Sequence, residues 1–244
     1  MHNFNKLRRK RKGAKKLKII DLSRTITPGM QGFPGDITPA IERREDGGFR
    51  TAGLSLCSHT GTHVDAPAHL SSQSVTLDIM PPETFWGLAL LADARGAAGR
   101  GIEIADLAPH AEKLAEADFL LLRTGWEDKF GTEEYLAGFP ALSREAAQYA
   151  LSLGIRGFGF DTISADSVES EECPIHKTLL GAGALIIENL RGLDALPAGE
   201  TCSPLCPCRS QAPTARPRAS WPSLKIEAAG CNIKRTRKFT EVRK

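Results

Sequence analysis

Eleven residues, His59-Thr60-Gly61-Thr62-His63-Val64-Asp65-Ala66-Pro67-Ala68-His69, place three imidazoles and one carboxylate almost side by side. Histidines four apart could share a helix face, but Gly61 and Pro67 both oppose a helix here. The segment is therefore extended or tightly turned. Side chains alternate along an extended chain, so His63 and Asp65 point to one side and can act on one partner. Imidazole and carboxylate without thiolate are common ligands of Zn²⁺ and are also used by Mn²⁺ and Fe²⁺, which suits a catalytic more than a structural metal site. A lone histidine is more often a core or surface residue. Here only His2 and His110, of six histidines, fall outside this stretch and His176.

The flanking sequence predicts alternating strands and helices. Leu17 to Ser23 reads as a first strand, followed by a turn-rich surface excursion through Pro28-Gly29, Pro34-Gly35-Asp36 and Asp46-Gly47-Gly48. Thr51 to Ser58 alternates like a strand and leads into the histidine segment. Trp86 to Asp93, Phe119 to Arg123, Ile155 to Phe160 and Ala184 to Ile187 read as further strands, the last two ending in Asp161 and Glu188. Pro109 to Ala115 and Ser143 to Leu153 have helical apolar spacing, with Ser143 as N-cap and Gly154 as stop. This order predicts an α/β domain. Glu188 closes an apolar strand, where an unpaired carboxylate is costly to bury, so a metal or a basic partner is expected beside it. Asp161 could orient a ligand or cap the loop that follows. Phe33 and Trp86 could wall a pocket for an aromatic substrate, although such side chains are more often core.

Composition excludes several function classes. The chain of 244 residues is 41% hydrophobic and 25% charged, ordinary for a globular protein. Its apolar runs are far short of the roughly 20 residues that span a membrane. The net charge of +3 hides an asymmetry: residues 1–17 hold eight Lys/Arg and no acid, residues 209–244 hold ten and two acids, and 18–208 carry a net charge of about −13. Such a body would repel a phosphate backbone, and the basic ends lack interleaved aromatics, so no nucleic-acid partner is expected. Met1 to Lys16 is not followed by an apolar signal core, and six irregular cysteines do not form a disulfide framework. A reduced, cytoplasmic protein is expected. Cys202, Cys206 and Cys208 do not have the spacing of a paired zinc motif, and Gly181-Ala182-Gly183 is too short for a dinucleotide fingerprint.

The pattern His-x-Gly-Thr-His-x-Asp-x-Pro-x-His is complete from His59 to His69 and resembles the bacterial cyclase family, which includes kynurenine formamidases and is similar to isatin hydrolases. The resemblance continues in Lys18 to Asp21, Thr25 to Asp36, Phe158 to Thr162 and His176 to Leu190, so it covers roughly residues 18–200. It implies a single α/β domain with a mixed sheet and flanking helices, usually a homodimer or homotetramer. It also implies His59, His63 and Asp65 as ligands of a first metal, with Asp65 bridging to a second held by His176 and Glu188. Two Zn²⁺ per chain are expected, with Mn²⁺ as the alternative, and Phe33 at the substrate. His69 matches the family's catalytic histidine; the position also suits a further ligand or a hydrogen-bonding partner of one. The implied reaction is metal-assisted hydrolysis of an amide C–N bond in a small aromatic substrate. N-formylkynurenine is the leading candidate, an assignment to tryptophan catabolism, and isatin-type cyclic amides or a non-catalytic metal-binding role are the alternatives.

Residues 201–244 depart from the family. A Cys/Pro-rich stretch and then basic residues replace the closing strands, and no core element is legible there. An altered ending, as from a reading-frame change, is expected, with residues 1–17 as a disordered basic extension, 1–16 of it upstream of the natural start.

Overall fold

The computed structural model describes residues 20–197, together with the backbone of residues 199–204 and 215–217. Among the described residues there are nine strands: β1 Ala40–Asp46, β2 Phe49–Ser55, β3 His63–Asp65, β4 Trp86–Asp93, β5 Phe119–Arg123, β6 Gly157–Phe160, β7 Leu185–Glu188, β8 Gly199–Pro204 and β9 Ala215–Pro217. Four α-helices accompany them among the described residues: α1 Ile104–Leu107, α2 Ala111–Leu114, α3 Arg144–Ser152 and α4 Pro174–Gly181. Seven strands form one mixed sheet in the order β8-β4-β5-β6-β7-β3-β9. β4 to β7 run parallel, and β8, β3 and β9 pair antiparallel with their neighbours.

Apolar side chains alternate across this sheet as its two-residue period requires. Leu90, Leu120, Leu122, Phe158, Phe160 and Ile186 face the helices and pack with Leu107, Leu114, Ala146, Ala150 and Leu179. Their neighbours Ala89, Leu91, Phe119, Leu121 and Ile187 face the other side, where Leu22, Leu77, Met80, Phe85 and Leu193 cover them from largely irregular segments. Among the described residues, the α-helices therefore pack on one face, and loops and 3-10 turns on the other. Ser143 caps α3 by accepting a hydrogen bond from Ala146 N at 3.2 Å, and Gly154 follows in a left-handed conformation that few other residues adopt.

Several expectations are corrected. Residues 20–23 are not a strand: Asp21 Oδ1 accepts from Ser23 N at 3.0 Å, a local bond that competes with a ladder, and Leu22 O takes a single bond from Arg191 N. β1, missed in the sequence because AIERRED is so polar, pairs with β2 in an exposed hairpin turned by Gly47 and Gly48. β2 ends at Ser55, short of Ser58, and stays out of the main sheet. The helix expected from Pro109 is divided into a 3-10 turn at Ala108–His110 and the short α2. α1 and α4 were not foreseen. Backbone from the Cys/Pro-rich ending enters the sheet as β8 beside β4 and β9 beside β3, because those strands would otherwise leave their edge amides and carbonyls unpaired. Residues 1–17, Cys206 and Cys208 lie outside the described residues.

Because Leu120 on β5 is fully buried, Leu120→Ala should lower unfolding stability by about 2–5 kcal/mol. Urea denaturation should show this as a lower midpoint with an unchanged slope.

Candidate functional site

Strand register builds the centre of the site. His63 on β3 stands directly opposite Glu188 on β7, and opposite residues project from the same face. Asp65, two residues on, joins them, while Val64 and Ile187 turn into the core behind. Glu188 is the last residue of β7, so the cluster lies at the C-terminal end of the parallel strands, where open α/β sheets commonly place ligands. His59 arrives from the turn before β3. Pro67 then opens a 3-10 turn that ends at His69 and carries its ring to 4.4 Å from the His59 ring and 5.8 Å from the His176 ring, between centroids. His176 comes from the first turn of α4.

His63 Nε2 lies 3.4 Å from Asp65 Oδ1 and 3.3 Å from Glu188 Oε2. His59 Nδ1 is 3.1 Å from Asp65 Oδ1, and His176 Nε2 is 3.4 Å from Glu188 Oε1 and 3.9 Å from Asp65 Oδ2. Two sets of three donor atoms lie within 4.8 Å of one another: His59, Asp65 and His69, and His63, Asp65 and Glu188. Asp65 belongs to both. His69 is thus close enough for a ligand as well as for a free base, and His63, a member of the second set, has its Nε2 3.0 Å from His59 Nδ1 of the first.

The donor set fits divalent metal. Asp65 is fully buried and, among the described residues, neither of its oxygens has a hydrogen-bond partner, although His59 approaches within ion-pair distance. A buried carboxylate left so is costly unless a cation takes its lone pairs. His63 Nδ1 lies 2.9 Å from Gly61 O, so that N–H donates there and Nε2 faces the carboxylates and His59 Nδ1, 3.0 Å away. Gly61 makes this possible with φ of 64° and no Cβ to press on Met30.

Without metal, protons hold the cluster together. Burial alone would lower the pKa of His63, but Asp65 and Glu188 more than reverse this and hold it well above the usual histidine value. Burial opposes protonation of His176 too, yet Asp166 and Glu188 push it up to about 11. Burial raises Asp65 and Glu188, and the facing imidazoles outweigh it, so both carboxyls are held low. His69 goes the other way. Its ring is open to the cavity, but crowding by neighbouring atoms desolvates it and lowers its pKa, leaving it neutral near pH 7.

A cavity of about 270 Å³ sits over the cluster, lined by His59, His63, His69, His176 and Glu188 and walled by Phe33, Leu70 and Ile163. The structure thus brings His59, His63, Asp65, His69, His176 and Glu188 together, with Phe33 on the cavity wall. Trp86 is not among the lining residues and is exposed at the start of β4. Asp161 is a loop cap: its carboxylate accepts from Thr124 N and Gly125 N, at 3.0 and 2.8 Å. Asp36 and Ser164 also line the cavity, and Asp166 accepts from His176, although sequence reading singled out none of these for the site. Asp166 carries a weak signal, an acidic residue shortly before a proline-started helix.

The fold and this donor set define an α/β domain whose mixed sheet carries a site suited to divalent metal. Residues 20–167 match the family model described as "Putative cyclase". The chain is 34% identical over 186 residues to a kynurenine formamidase of Erythrobacter litoralis, covering 75% of this chain and 82% of the relative. It is 31% identical over 182 residues to one of Salinibacter ruber, covering 72% and 82%. Among solved structures, it resembles a potential metal-dependent hydrolase with cyclase activity at TM-score 0.68 and 27% identity, covering 82% of this chain and 94% of the other. It shares its fold with isatin hydrolase A from Labrenzia aggregata at TM-score 0.74 and 24% identity, covering 86% and 92%. The chain belongs to the cyclase family.

Metal and protons compete for these donors, so loading the metal-free protein with Zn²⁺ at pH 7 should release protons. Calorimetry in buffers of different ionisation enthalpy should give different apparent heats; equal heats would contradict the protonated cluster. The sign for stability follows from the raised His176. Its pairing stabilises the metal-free chain fully below its unfolded value near 6.5, and the gain fades as pH rises toward about 11.

Proposed function

We propose that the chain hydrolyses an amide C–N bond in a small aromatic substrate, with N-formylkynurenine as the leading candidate and kynurenine and formate as products. The observation that carries this reading is the fully buried carboxylate of Asp65 set among imidazoles that line an apolar-walled cavity. His59, His63 and Asp65 would hold one divalent ion, and His176 and Glu188 a second, with Asp65 shared. Two Zn²⁺ are the first choice and Mn²⁺ the second, since the donors are nitrogen and oxygen only. Bound there, such ions lower the pKa of water and polarise a carbonyl.

The chain's own residues do the rest. His69, neutral near pH 7, takes a proton from the attacking water and returns it to the leaving nitrogen. Phe33 and Ile163 receive the aromatic ring and exclude water beside the scissile bond. The isatin-type reading stays open, because a cyclic amide needs the same water, the same proton transfer and the same wall. A non-catalytic metal-binding role is the remaining alternative. A homodimer or homotetramer is part of the proposal: an isolated two-stranded ribbon is marginal in water, and the exposed β1–β2 hairpin is available for a second copy.

Kinetics on N-formylkynurenine, isatin and a small aliphatic formamide test the reading. His69→Ala should lower kcat by about 10²- to 10⁴-fold with metal content unchanged; a full-rate variant would reject His69 as the proton carrier. Phe33→Ala should raise KM for the aromatic substrates and leave the aliphatic one unaffected. Turnover of none of the three by metal-loaded wild type would favour the non-catalytic alternative.

A further inference from the structure

The two halves of the donor cluster are held by different parts of the chain. On the β3 side, His63 is fixed by Gly61 O, and the neighbouring Thr62 Oγ1 donates to Asn189 O at 2.6 Å. The other half rests on residues 165 and 166. Ala165 N donates to Glu188 Oε1 at 2.9 Å. Asp166, almost fully buried, accepts from Ile175 N at 2.9 Å through Oδ1, and from His176 N and His176 Nδ1 at 2.8 and 2.7 Å through Oδ2.

One carboxylate therefore does two tasks. Cys173, the residue before α4, has a left-handed backbone and provides no side-chain cap, so the first amides of α4 would lack acceptors without Asp166. The same carboxylate binds the Nδ1–H of His176, which selects the tautomer and turns Nε2 toward Glu188 and Asp65. The hydrogen bonds that Asp166 accepts from α4 run to Ile175 and His176, on the His176 side of the cluster.

We propose that Asp166 is the positioning residue of the second metal position alone, so that the two positions are separable and a one-metal form of the protein can be made by changing a residue that touches no metal. This rests on the two-metal reading above. Outer carboxylates that orient a ligating histidine typically contribute about 10- to 100-fold in metal affinity.

The test is a Co²⁺ titration of the chelator-stripped full chain, read by visible absorption and by metal per chain in mass spectrometry. Asp166→Asn and His176→Ala are compared with wild type, and circular dichroism checks that each is folded. Wild type should bind two ions. Asp166→Asn should bind one as tightly as wild type and the second about 10- to 100-fold more weakly, with the full spectrum restored by excess Co²⁺, whereas His176→Ala should recover less of it. Asp166→Glu, which keeps the charge but displaces the oxygens, should show the same selective weakening and serves if the asparagine variant does not fold. Two ions at wild-type affinity in a folded variant, or equal loss of both, would overturn the proposal. A folded wild type that binds no Co²⁺ would instead overturn the metal reading beneath it.

Discussion

The architecture converges on one costly group, the carboxylate of Asp65. It is fully buried and has no hydrogen-bond partner among the described residues, yet four imidazoles and Glu188 surround it. A charge so placed is tolerable only if cations face it, either protons on the imidazoles or metal ions. The β3–β7 register sets His63 opposite Glu188, the Pro67 turn brings His69 round, and α4 carries His176 to the far side. The apolar face behind β3 and β7 keeps this arrangement dry and rigid.

That rigidity decides which chemistry is open to the site. Donors fixed by backbone carbonyls, a backbone amide and a buried aspartate need little rearrangement on binding a cation, the condition under which electrostatic stabilisation is most effective. His69 differs from the others in being exposed at the cavity and neutral near pH 7, which suits a group that exchanges protons rather than one that is permanently charged. An apolar wall at Phe33, Leu70 and Ile163 sets the shape of what can approach.

Much of this was legible in the sequence, for identifiable reasons. Trp86–Asp93 and Phe119–Arg123 are apolar runs bounded by breakers, and both form strands with the expected limits. The His59–His69 segment declared its extended form through Gly61 and Pro67. By contrast, β1 is charged on both faces because it has no core to pack on, so no apolar alternation marks it. α4 is only eight residues long and lacks a polar N-cap residue, since its capping carboxylate comes from Asp166, ten positions before His176. That relation is tertiary, and spacing along the chain cannot reveal it. The pairing of His176 and Glu188 with the first cluster was likewise accessible only through resemblance to the family, because strand register is not encoded in either residue.

The most direct test of the central claim is an anomalous-scattering map of crystals of the metal-loaded protein, measured at the absorption edge of the bound metal. Two peaks flanking the Asp65 carboxylate, one near His59 and His63 and the other near His176 and Glu188, are the predicted result. A map with no peak at Asp65 in protein crystallised with excess metal would contradict the account, and the buried carboxylate would then have to be balanced by protons alone.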